Sequence, residues 1–175
     1  MKKIKLGNVG VDSGQLMITD PCYIGKWESN QFQDIRKYKN KQGKILQYGK
    51  DFDNYEQIIP KYKTTMNKLI SGGEWEKLPH PHAEDRSYSY RGSCMATTKS
   101  SSTGVSIAYG GELVNSLGVP LGVSFSSGYG DGCYEVYAYV KNIDGWGERV
   151  CKVEIILIEQ NEEDLWVHIT DQKRN

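Results

Sequence analysis

Two arms, Tyr134–Lys141 and Arg149–Ile158, enclose the segment Asn142-Ile143-Asp144-Gly145-Trp146-Gly147. Both arms are rich in β-branched and aromatic residues, which suit a pleated, half-buried surface. Asp-Gly between them supplies the positive φ of a tight reversal. A pair of this kind commits the chain to an antiparallel sheet. Shorter runs bounded by glycine, proline or aspartate extend the pattern at 4–11, 15–20, 88–97, 104–109 and 118–126, and a last strand is expected at 165–170 after the acidic turn Glu159–Asp164. The expected fold class is mainly β: a barrel or sandwich of about eight or nine short strands with one inserted α-helix, a β-rich α+β chain.

The inserted helix is read from a different period. Tyr55, Ile58, Ile59, Tyr62, Met66, Leu69 and Ile70 fall at helical spacing. Asp53 or Asn54 would cap a helix starting near Tyr55, and Gly72-Gly73 would stop it. Pro60 is costly beyond a first turn, so a shorter helix starting near Thr64 or Thr65 is the alternative. Residues 24–54 are polar and weakly patterned, and 76–87 are rich in proline and histidine. The chain of 175 residues is expected to be one domain, 1–175, with 24–87 as a helix-containing insertion between an N-terminal hairpin and the main sheet.

Composition narrows the class. No run approaches the roughly 20 apolar residues that span a bilayer, and the charged start Met1–Asn8 has no apolar segment behind it. A membrane protein, a secreted precursor, a coiled coil and a disordered chain are not expected, no membrane is expected as a partner, and the cytoplasm is the expected compartment. Cys22, Cys94, Cys133 and Cys151 lie far apart without a C-x-x-C pair, so four reduced, mostly buried thiols are expected rather than a zinc knuckle. Residues 1–68 carry thirteen basic and seven acidic residues, and 69–175 carry nine and fifteen. The basic excess clusters at Lys2, Lys3 and Lys5 and at Arg36, Lys37, Lys39, Lys41 and Lys44. Such a run could be a phosphate-binding face, but aromatics do not interleave with it in a stacking pattern, so it reads as a solvated loop and no sequence-specific nucleic acid is expected as a partner.

Four groups of residues carry chemistry. In Thr19-Asp20-Pro21-Cys22-Tyr23 a carboxylate, a thiol and a phenol follow a strand, and proline holds Asp20 extended. Asp20 and Tyr23 are candidate ligand contacts, and Cys22 would be a nucleophile only with a base such as His80, His82 or His168 beside it. In Ser126–Gly132, alternate glycines let backbone amides turn towards a ligand. Ser126, Ser127 and Asp131 add hydrogen-bonding groups there, Tyr129 adds a flat face, and Tyr134 on the strand that follows is a further candidate ligand contact. His80 and His82 could share a metal with Glu84 or Asp85, but two imidazoles between prolines read more simply as a stiff surface loop, and neither a metal nor another cofactor is expected. Tyrosine is abundant at twelve residues, and Tyr88, Tyr90, Tyr137 and Tyr139 among them read as half-buried cross-strand groups that could also line a pocket. Arginine is scarce at five, and Arg91 is chosen from Arg86, Arg91 and Arg149 as the bidentate anion contact.

Gly10-Val-Asp-Ser-Gly-Gln-Leu-Met-Ile-Thr-Asp-Pro-Cys-Tyr23 and Ser127-Gly-Tyr-Gly-Asp-Gly-Cys-Tyr-Glu-Val-Tyr137 resemble blocks of a family of bacterial and bacteriophage proteins known only as a domain of unknown function. Asp51–Tyr55, Met66–Ile70 and Gly73–Trp75 also look like phage-encoded relatives. The resemblance implies a small cytoplasmic protein carried by phages or mobile elements, and it brings no catalytic residues. The expected function is a non-enzymatic binder in which the Asp20–Tyr23 and Gly128–Gly132 loops form one mouth around a small anionic or nucleotide-like ligand, sequestering a signalling molecule of the host. One alternative is a hydrolase or transferase using Cys22 or Asp20 with a histidine. Another is a protein-interaction or immunity module covering a basic partner, and self-association into a homo-oligomer stays open.

Overall fold

A computed structural model describes residues 1–101, 104–107 and 109–159. The strand expected at 165–170, with His168, lies outside the described residues. The chain is mostly β, with 46% in strands and 13% helical. In chain order the elements are β1 (Lys2–Val11), β2 (Gln15–Thr19), a 3-10 turn (Pro21–Lys26), β3 (Lys37–Asn40), β4 (Ile45–Gln47), β5 (Ile58–Ile59), β6 (Thr64–Thr65), α1 (Met66–Ser71) and β7 (Trp75–Lys77). Then follow α2 (Tyr90–Thr97), β8 (Thr98–Ser101), β9 (Gly104–Ile107), β10 (Gly110–Val114), β11 (Pro120–Ser126), β12 (Gly132–Ile143) and β13 (Gly147–Ile155). These strands, thirteen among the described residues rather than eight or nine, fall into three three-stranded and two two-stranded sheets. Two compact units result, one of Met1–Leu16 with the chain from Ser127 onward, the other of Met17–Ser126.

The first unit is built on the antiparallel sheet β1-β12-β13. The hairpin read from Asp144-Gly145 is present: Ile143 faces Gly147, and Gly145 and Gly147 take φ of 74° and 70°. An N-terminal hairpin is not formed, because β1 pairs with β12 from Lys2↔Val140 to Val11↔Gly132, while β2 joins β11. The reason lies at the bend after β1. Gly14, at φ 67°, donates its amide to Asp131 Oδ1 (2.9 Å) and accepts the Ser127 amide (3.0 Å), so the loop before β12 closes that bend in place of a β1–β2 ladder.

In the second unit two clusters of apolar side chains form. Tyr38, Phe52, Ile59, Met66, Leu69 and Trp75 make one, with Tyr55, Tyr62 and Ile70 packed against it. Most of the apolar stripe of residues 55–70 is therefore buried together, although a helix from Tyr55 is not formed. Pro60 removes an amide donor, and the chain instead turns back through Lys63, at φ 52°, so that Ile58–Ile59 pairs with Thr64–Thr65. The helix α1 begins only at Met66, capped by the Thr65 hydroxyl on the Lys68 amide, and ends at Gly73 with φ 68°. Tyr88, Ala96, Leu113 and Leu121 make the second cluster, with Met17 and Tyr23 against it.

A second helix, α2, stands where residues 88–97 are expected to be a strand. Ser89 is extended (φ −153°, ψ 169°), and its hydroxyl accepts the Gly92 amide at 3.0 Å, which satisfies one of the free donors of a first turn. Only Thr97 in Tyr90–Thr97 is β-branched, so little in that run opposes a helix. Gly92, Ser93 and Ala96 are buried, and α2 packs against β10 and β11 with Ser93 and Ser124 hydroxyls 2.5 Å apart.

Candidate functional site

The open basin of about 570 Å³ in the second unit is lined by Pro79–Asp85 and Arg91. Its floor is fixed from the backbone up. Arg86 Nη1 donates to the carbonyls of Ala83 (3.1 Å) and Asp85 (2.8 Å), and the Ala83 and Asp85 amides donate to the carbonyls of His80 and His82. Asp85 accepts the Ser87 amide on Oδ1 at 2.8 Å and Arg91 Nε on Oδ2. Burial pushes the Asp85 carboxyl up, but the Ser87 amide and the Arg91 guanidinium outweigh it and hold the group below the ordinary aspartate range. Arg91 lies in the first turn of α2, and its amide donates to Asn30 O at 3.1 Å. Nε is spent on Asp85, and among the described residues none accepts from the Nη atoms.

His80 stacks on Phe32 at 5.7 Å and 22°. Its Nε2 lies 2.9 Å from the Gln33 carbonyl, which can only accept, so Nε2 carries the hydrogen. Nδ1 then accepts the His82 amide at 3.1 Å. Both ring nitrogens are engaged, and metal sharing between His80 and His82 would require breaking one of these bonds. Among the described residues no group of three or more His, Cys, Asp or Glu is placed to hold a metal ion. His82 and Glu84 are exposed at the basin. The arrangement offers one guanidinium edge for a planar anion, one imidazole, and one carboxylate that favours N–H donors on whatever enters.

The remaining sequence candidates are placed as follows. Asp20 and Tyr23 belong to the second unit: the Asp20 carboxylate caps the turn Pro21–Lys26 by accepting the Cys22 amide (2.8 Å), and Tyr23 is half-buried with Lys26 Nζ 4.8 Å from its ring. Ser127, Tyr129, Asp131 and Tyr134 belong to the first unit. There the Ser127 hydroxyl donates to Gly130 O (2.8 Å), the Tyr134 hydroxyl lies 2.5 and 2.7 Å from the carbonyls of Ser127 and Gly130, and Asp131 accepts the Gly14 amide. Ser127 and Tyr134 are buried, Asp131 is exposed, and these three side chains hold the loop in shape; Tyr129, 86% exposed, also faces solvent. Arg91 alone of the seven lines the basin.

All four cysteines are free, but only Cys94 is buried; Cys22, Cys133 and Cys151 are exposed. The reason is local: Tyr134 takes the inward side of β12, which leaves Cys133 on the outward side, and Cys22 sits in an exposed turn. Among the described residues no imidazole is bonded to the Cys22 thiol. Sequence reasoning missed Asp85 as the partner of Arg91. The signal available was Asp85-x-x-x-x-x-Arg91 across a serine cap, which needs the helix at 90–97 to be recognised first. No helix of the described residues is long and apolar enough to cross a membrane. No family model, curated protein or solved structure matches the chain.

Proposed function

We propose that the protein is a non-enzymatic binder of a small anionic, nucleotide-like molecule, held in the basin of Pro79–Asp85 through Arg91. The observation that carries this reading is the Arg91 guanidinium: Asp85 orients it through Nε, and its Nη edge is left for an anion at the rim of a concave surface. Glu84 sets a second preference, for a ligand that presents N–H donors beside its anionic group, as an amino-bearing base beside a phosphate does. In a phage or mobile-element setting such a binder would withdraw a signalling nucleotide from the host.

Isothermal titration of the full chain with AMP, ADP-ribose and cyclic dinucleotides, with inorganic phosphate as reference, tests it. One nucleotide is expected to bind at least tenfold more tightly than phosphate. Arg91→Lys keeps the charge but loses the planar fork, and it should weaken that nucleotide at least tenfold with the melting temperature retained. Absence of heat across the panel, or full affinity in Arg91→Lys, would remove the proposal.

A further inference from the structure

We propose that one face of the β1-β12-β13 sheet is a sequence-independent platform for single-stranded nucleic acid. Tyr137 and Tyr139 lie two apart on the central strand, so both side chains rise from the same face, their Cα atoms about 7 Å apart along it. The register sets Lys5 opposite Tyr137 and places Lys3 and Lys152 on either side of Tyr139. Lys141 opposite Arg149 continues the same face towards the hairpin. Against these five cations the face carries two carboxylates, Glu135 and Glu154. The side chains of Lys3, Lys5 and Lys152 are 42%, 47% and 54% exposed.

Two of the cations, Lys3 and Lys152, already lie over the rings. Lys3 Nζ lies 4.2 Å from the Tyr137 ring centre and Lys152 Nζ 4.7 Å from that of Tyr139. Glu154 gathers them, accepting Lys3 (3.0 Å), Lys152 (2.6 Å) and the Tyr139 hydroxyl (2.8 Å). A phosphate chain competes with that carboxylate for the same ammonium groups. As the lysines swing to phosphates, the ring faces they cover become free for bases, and stacking tolerates any base. A duplex keeps its bases stacked inside and cannot use the rings, which is why the proposal is confined to single strands. This surface lies in a different unit from the basin and does not rest on it.

The test is fluorescence anisotropy of a labelled twenty-nucleotide oligothymidylate with the full chain at 50 and 200 mM salt. Binding at 50 mM that weakens steeply at 200 mM is expected. Lys141→Glu with Arg149→Glu should weaken it at least tenfold and flatten the log–log salt slope by about 1.4, for two lost phosphate contacts. Tyr139→Ala should weaken it at least fivefold while the far-ultraviolet dichroism stays native, and Lys41→Ala, at an exposed lysine of the second unit, should leave the isotherm unchanged. No binding at 50 mM salt, equal affinity for a duplex of the same sequence paired with its complement, equal affinity for polyglutamate, or an unchanged isotherm in the double charge reversal would each overturn the proposal.

Discussion

Gly92 shows how little room a single residue can have. A Cβ built there would stand 1.9 Å from the Ser87 carbonyl oxygen and 2.9 Å from both the carbonyl carbon and the amide nitrogen of the same residue. All three are backbone atoms, so no rotamer change relieves the clash, and α2 would have to lift away from the chain that carries Asp85 and Ser87. Gly92→Ala is expected to cost about 3 kcal/mol, at the upper end of overpacking losses, read as a lower urea midpoint at unchanged slope. Gly10→Ala is the control. Nothing lies within 4 Å of its Cβ position and its φ is ordinary, so stability should stay within about 0.5 kcal/mol of the parent. Equal losses in both variants would show that the cost is not steric. Nothing in the sequence separates these two glycines, because what differs is the path of residues 85–89 through space.

At the scale of elements, what was legible is what depends on neighbours in sequence. The hairpin of β12 and β13 was legible because alternation and Asp144-Gly145 act locally, although its second arm ends at Ile155 and not at Ile158. The burial of Ile59, Met66 and Leu69 was legible as apolarity, but the period misled: Pro60 and the left-handed Lys63 make a two-strand turn there, and helix survives only after the Thr65 cap. Pairing of β1 with β12, more than a hundred residues apart, depends on the Gly14–Asp131 closure and has no local mark. The site was legible in part for the same reason. Arg91 stood out by scarcity, whereas its orientation by Asp85 needs α2, and α2 rests on Ser89. The Ser89 hydroxyl is fully buried, accepts the Gly92 amide and sits 2.7 Å from the Ser87 hydroxyl. Ser89→Ala should therefore cost about 1–2 kcal/mol in a urea or thermal melt, and Ser89→Gly distinctly less. If alanine and glycine behaved alike, the cap would not be what starts this helix.

Across the whole molecule, acid should act through carboxylates held low by their partners, in both units. Lys152, then Lys3 and the Tyr139 hydroxyl, pull Glu154 from the usual 4.5 down to about 2. Lys5 and the Tyr137 hydroxyl lower Glu135, and in the second unit the Ser87 amide and Arg91 lower Asp85 against the effect of its burial. A carboxylate with a depressed folded value binds fewer protons folded than unfolded between the two values. Its contribution is complete above about pH 4.5 and is lost as pH falls towards 2. The lysines of the same face are raised, Lys3 by Glu154 first and Lys5 by Glu135 first, so their contribution holds below the ordinary lysine range and fades only at strongly alkaline pH. The melting temperature of the parent chain is therefore expected to be flat near neutrality and to fall between pH 4.5 and 2. In Glu154→Gln that fall should be shallower, because the variant has lost the group before acid reaches it, though Glu135 and Asp85 keep part of the slope. High salt should narrow the difference, since these pairs are solvent-exposed and screened. Parallel curves for parent and variant from pH 4.5 to 2 at low salt would show that Glu154 does not link protonation to folding.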